Sequence, residues 1–98
     1  MPRQVPSLTL AEARGIIAAG EKKAEELGIP YNIAVVDAGG GLIAHARMDG
    51  AWLGSIDISI HKACTARAFD MAVGASGGTV DQDLKVAEAA VSAFTHPH

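Results

Sequence analysis

The 98-residue chain has one cysteine, four aromatic residues, no cluster of lysine or arginine and no long apolar run. Each shortage removes a class of protein. A lone Cys64 leaves no internal disulfide and no cysteine-based zinc site. So few aromatics mean that the core must be built from Ala, Ile, Val and Leu. The net charge is −3, and without a basic footprint neither nucleic acid nor an anionic membrane is an expected partner. The opening MPRQVPSLTL holds no apolar segment of signal or membrane-span length, so a cytoplasmic protein is expected. No Ser–His–Asp or Cys–His arrangement is legible, which leaves no activated nucleophile.

What remains is a chain of one domain's length, 1–98, without internal repeat or linker. A chain this short buries only about 60% of its unfolded surface, so self-association would help it. Thr9 and Glu12 fit a capping box. Ala13, Ile16, Ile17, Gly20, Ala24 and Leu27 then recur at helical spacing until Gly28 and Pro30 stop the run. This predicts a helix over about 9–27. YNIAVVD (31–37) is β-branched and of strand length, and 42–48 alternates, with Ala44, Ala46 and Met48 opposite His45 and Arg47. A second helix is expected over about 53–69 with Ile56, Ile60 and Ala63 on its apolar face, then a short strand at 72–76. Thr79 and Gln82 form a second capping box, opening a helix whose apolar positions are Val80, Leu84, Ala87, Val91 and Phe94. The order α-β-β-α-β-α supports an α+β fold, one layer of sheet with helices packed on it.

Several stretches could carry chemistry. Gly39-Gly40-Gly41 leads into a strand rather than a helix, so it reads as a hairpin turn and not a phosphate loop. The 74–79 segment does run from strand to helix, yet Asp81 and Asp83 already complement that helix dipole. A ligand's polar edge could still use Ser76 and the Gly77 amide. Asp57 and His61 stand at i, i+4, which is two ligands where a closed metal site needs about four; no metal site is expected. Met48, Trp52 and Phe69 read as core before they read as the lining of a pocket.

The segment VVDAGGGLIAHARMDGAWLGSIDISIHKACTARAF, 35–69, resembles the GlcG/HbpS-like family of haem-degrading (DUF336-type) domains, related to the domain that closes PduO-type corrinoid adenosyltransferases. The matching pieces are Val35-Val36-Asp37 with Gly39 and Gly40, Arg47-Met48-Asp49-Gly50-Ala51, and Ser55-Ile56-Asp57-Ile58 through Lys62-Ala63-Cys64-Thr65-Ala66 to Phe69. VGASGGTVDQDLKVAEAAVSAF, 73–94, is similar to the family's closing segment. The resemblance implies a profilin-like antiparallel sheet between helices, with strands ordered 2-1-5-4-3. This chain departs from the pattern between Ala72 and Val73, where members carry a further loop and two strands. Losing strands 3 and 4 leaves 2-1-5, still contiguous, with the last strand exposed as an edge that favours pairing with another chain. Either the member is truly shortened or its full form carries that stretch; a mass well above 10.0 kDa would mark the second.

The function this implies is a small oligomeric binding protein that holds haem, a corrinoid or another flat anionic tetrapyrrole. Arg47, His61 and Lys62 would meet carboxylates and His45 or Met48 would reach the iron, with contacts centred where Arg47, Met48 and Asp49 lead into the Lys62/Thr65 helix. The first helix contains no histidine, so a family role that relies on one there does not carry over. Two alternatives stay open. One is an enzyme or accessory subunit acting on a small hydroxy acid or diol, with Asp37, Asp49 and His61 as acid–base groups. The other is a structural homo-oligomer with no ligand.

Overall fold

The computed structural model describes residues 8–37, 39, 41–66 and 71–95, without the side chains at 65, 66, 71, 72, 94 and 95. The expectations placed on Gly40, the Thr65 side chain, Arg67, Phe69, the Phe94 side chain and the two chain ends lie outside the described residues. The elements run α1 (Leu10–Leu27), β1 (Asn32–Asp37), β2 (Leu42–Arg47), α2 (Ser55–Ala66), β3 (Met71–Ser76) and α3 (Val80–Thr95).

α1 begins as its sequence dictates. Thr9 is its N-cap, and the reciprocal bonds to Glu12 complete the capping box. It ends where Gly28 takes φ 74°, a left-handed cap that a side chain would strain. The inward stripe is Ala13, Ile16, Ile17, Gly20 and Ala24. α3 starts on the second capping box, in which Thr79 and Gln82 exchange side-chain-to-backbone bonds of 2.9 and 3.2 Å.

The three strands form one antiparallel sheet in the order β2-β1-β3. β1 is the central strand and is buried on both faces. Ile33 and Val35 face α1 and α3 within the larger core, with Ile16, Val86 and Ala90. Ala34 and Val36 face α2 and meet Ala63. The Met48 N–H donates to the Tyr31 carbonyl, which sets the phase of both ladders. Residues 33 and 35 of β1 then direct their backbone groups to β2, while 32, 34 and 36 direct theirs to β3. On β3 the matching phase turns the N–H and C=O of Val73 and Ala75 away from the sheet. β3 is therefore an open edge.

α2 lies closer to the sheet than its isoleucines suggest. Its buried stripe is Ser55, Ser59 and Ala63, while Ile56 and Ile60 are only half-buried and Ile58 is exposed. The close seat depends on Gly74 of β3. A Cβ there would collide with the Ser59 carbonyl and stand 2.5 Å from the Ala63 nitrogen. A branched stripe on α2 could not approach so near, and Ser59 settles its hydroxyl on the Ile56 carbonyl at 2.8 Å.

Two expectations about the core need correction. Trp52 is not core: it is 71% exposed, in the turn before α2. The apolar stripe expected for α3 is also rotated. Asp83, Val86 and Ala90 are buried, whereas Val80 and Leu84 are 74% and 55% exposed. Those two side chains face the open edge of β3, where no described element covers them.

Candidate functional site

The glycine turn that follows β1 holds the chain's own anion. One Asp37 carboxylate oxygen accepts the Gly39 and Gly41 N–H groups at 3.0 and 2.8 Å, and the Asp37 N–H closes the turn on the Gly41 carbonyl. Asx-type bonding of this kind fixes a hairpin and leaves those N–H groups engaged.

The residues singled out in the sequence fall into separate places. Arg47, Met48 and Asp49 border a depression of about 460 Å³ shared with Glu21 and Glu25 of α1. Three carboxylates there oppose one guanidinium, so the field repels an anionic ligand. Arg47 also donates to the Ala51 carbonyl at 3.3 Å, and the Met48 sulfur accepts the Tyr31 N–H at 3.3 Å. His45 stands on the α2 side of β2, half-buried, and its Nε2 is buried without a hydrogen-bond partner. Burial, with a smaller contribution from the Arg47 charge, pushes its pKa below the ordinary histidine value. A depressed histidine must be neutral in the folded state, so its protonation favours unfolding. Stability should thus be full above pH about 6.5 and fall as the pH drops below that, the ordinary histidine value. Urea midpoints at pH 7.5 and 5.5 measure this, and His45→Gln should flatten the difference.

His61 and Lys62 belong to a second place. They rim a cleft of about 420 Å³ that runs along the open edge of β3 between α2 and α3. Its floor is Val73, Gly74 and Ala75, and α3 lines it with Val80, Leu84 and Ala87. Lys62 crosses the cleft: its ammonium donates to the Ala75 carbonyl at 3.3 Å and to Asp83 Oδ2 at 2.7 Å. Asp83 Oδ1 accepts the Gly78 N–H at 2.9 Å. Burial alone would raise the Asp83 pKa, but Lys62, the Tyr31 hydroxyl and the Gly78 amide offset it and hold the carboxyl below its usual range. Burial, then the adjacent Asp83, push the Tyr31 phenol well above the ordinary tyrosine range. Sequence reasoning noticed Asp83 only as a dipole complement; its helical spacing could not show that Lys62 reaches it from another element.

Ser76 is buried at the end of β3 and Gly77 is exposed just beyond it; neither borders this cleft. A Cβ on Gly77 would stand 2.6 Å from the Pro30 carbonyl, so the backbone there is packed against the chain itself. Among the described residues no group of three or more His, Cys, Asp or Glu side chains could hold a metal, and no helix is long and apolar enough to cross a membrane.

A three-stranded antiparallel sheet with two helices on one face, one on the other and an apolar cleft at its open edge defines a small α+β domain of the binding type. The chain belongs to the family described as haem degrading protein HbpS-like, whose model matches residues 8–72. It is 31% identical to an uncharacterised 15.0 kDa protein from the dhaT–dhaS intergenic region of Citrobacter freundii, over 95% of this chain and 96% of that protein. That alignment runs over 136 residues, more than this chain has, so an internal stretch of the relative has no counterpart here. The family match ends at Ala72, where the sequence pattern breaks. Among solved structures, Klebsiella pneumoniae protein ORFY, of the DUF336 family, superposes with a TM-score of 0.89 at 29% identity, over 99% of this chain and 97% of that one. PduOC in complex with haem gives 0.82 at 22% identity, over 92% and 96% of the two chains. A double mutant of Streptomyces reticuli HbpS gives 0.86 at 23%, over 99% and 92%. The last two likenesses are of fold.

Proposed function

We propose that this protein is a small oligomeric binding subunit that holds haem, or a related flat anionic tetrapyrrole such as a corrinoid, in the cleft between α2 and α3. The observation that carries the reading is the cleft itself: apolar walls with cationic groups confined to one rim. A flat macrocycle would bury its apolar faces against Val80, Leu84 and the β3 backbone, while its carboxylates stay near Lys62. His61 is the candidate for the iron, since His45 Nε2 has no solvent contact and the Met48 sulfur already accepts a backbone N–H. Haem would supply an iron centre whose chemistry depends on that axial ligand. Membership of the HbpS-like family and the haem-bound state of one structural neighbour support the choice of ligand.

Titration of the purified protein with haem is expected to shift the Soret band. His61→Ala should weaken binding on the order of tenfold, about 1.4 kcal/mol, without changing far-UV circular dichroism. No Soret shift at micromolar haem would remove the reading. A shift indifferent to His61→Ala would move the iron ligand elsewhere.

A further inference from the structure

We infer that the open edge of β3 is an interface between two copies of this chain, which pair antiparallel through Val73 and extend the sheet from three strands to six. The inference names the partner for the oligomeric subunit proposed above and rests on that part of the reading; it does not depend on the ligand. Four observations carry it. Val73 and Ala75 turn their backbone groups outward, a row of donors and acceptors suited to a further strand. All three described strands are already placed in the sheet, so no described strand is spare to cover that row. The alignment with the longer relative leaves an internal stretch unmatched, and the family match breaks off inside this same strand. Val80 and Leu84 stand exposed beside the edge, where an added strand would cover them.

A second copy fits better than a foreign strand for a reason of charge. From Met71 to Ser76 β3 carries no charged residue, so a two-fold pairing sets no like charges opposite each other. Centring the axis on Val73 puts Val73 opposite its counterpart and Ala75 opposite Met71, for about six backbone hydrogen bonds. Lys62 must leave the Ala75 carbonyl, but its 2.7 Å contact with Asp83 does not depend on that oxygen. The other edge of the sheet, β2, is less suited: it carries His45 and Arg47, and its ladder to β1 has an irregularity at Val35/Val36. Pairing also fills the cleft, so a dimer and a cleft-bound ligand exclude each other.

Light scattering on the eluting protein at tens of micromolar tests the pairing. The expected mass is twice 10.0 kDa for the wild type and 10.0 kDa for Val73→Pro and Leu84→Lys. Proline at 73 removes an outward N–H and spares the β1 ladder, while Leu84→Lys changes only an exposed side chain and serves if Val73→Pro fails to fold. Hydrogen exchange should find the Val73 amide protected in the wild type and exposed in Leu84→Lys. A monomeric wild type overturns the inference. A dimer that survives Leu84→Lys with an unprotected Val73 amide also overturns it, while leaving an oligomer built on another surface. Haem uptake by the intact dimer equal to that of Leu84→Lys would overturn the shared-cleft part. Failure of every form to bind haem would remove the ligand reading alone.

Discussion

Gly74→Ala is expected to be the most damaging single-methyl change in the molecule. The added carbon meets the Ser59 carbonyl and the Ala63 nitrogen, both backbone atoms of α2, and neither can rotate aside. The helix must lift from the sheet, opening the contact among Ala34, Val36 and Ala63. Overpacking of this kind costs about 3 kcal/mol, which in a chain of this length lowers the melting temperature by roughly 12–24 °C. Gly15→Ala is the control. Nothing lies within 4 Å of its added carbon, and alanine in a helix interior gains about 0.8 kcal/mol over glycine. Differential scanning calorimetry should therefore move the two variants in opposite directions. A Gly74→Ala protein that melts with the wild type would mean that α2 is not seated on β3 at this distance.

Asp83→Asn should be the second large effect, because one carboxylate ties three elements together. It receives the Lys62 ammonium from α2 and the Gly78 amide from the turn after β3, and it lies beside Tyr31 at the start of β1. Asparagine keeps the shape and loses the charge. Hydrogen bonds to a charged group contribute about 1.5–3 kcal/mol; the Lys62 side chain is 42% exposed, so its share is reduced by solvent screening and about 2 kcal/mol in all is expected. The pH dependence gives the result a signature. The folded Asp83 pKa is depressed, so its contribution is complete above the ordinary value of 3.8 and lost as the pH falls through and below it. Wild type and variant should differ at pH 7 and converge toward pH 3 in urea titrations of equal slope. A constant gap across that range would mean that the charge is not what Asp83 supplies.

The elements of the fold were legible because their signals are local. Two capping boxes, the Gly28 stop and the alternation over 42–48 each act within a few residues of chain, and each appears where the pattern put it. The faces of α2 and α3 were less legible. Ser55, Ser59 and Ala63 do not look like a core stripe until Gly74 is known to lie beneath them. Val80 and Leu84 look like core because such positions serve a longer sheet, and here that sheet is short. The candidate site divided for a related reason. Arg47 and Lys62 belong to one run of family motifs, but β2 and α2 carry them to different depressions. Adjacency in a motif is not adjacency in space.

The strand order has a kinetic consequence as well. Closing β1 on β2 needs only the turn at 38–41, whereas closing β1 on β3 must first enclose β2 and α2. Loop-closure entropy makes the second ladder the slower to form, by roughly 0.6 kcal/mol for each doubling of the enclosed length. A longer segment between α2 and the last strand would raise that barrier further. The short route from α2 to β3 thus quickens the last step of sheet assembly, and the strand that joins last is the one left with its edge uncovered.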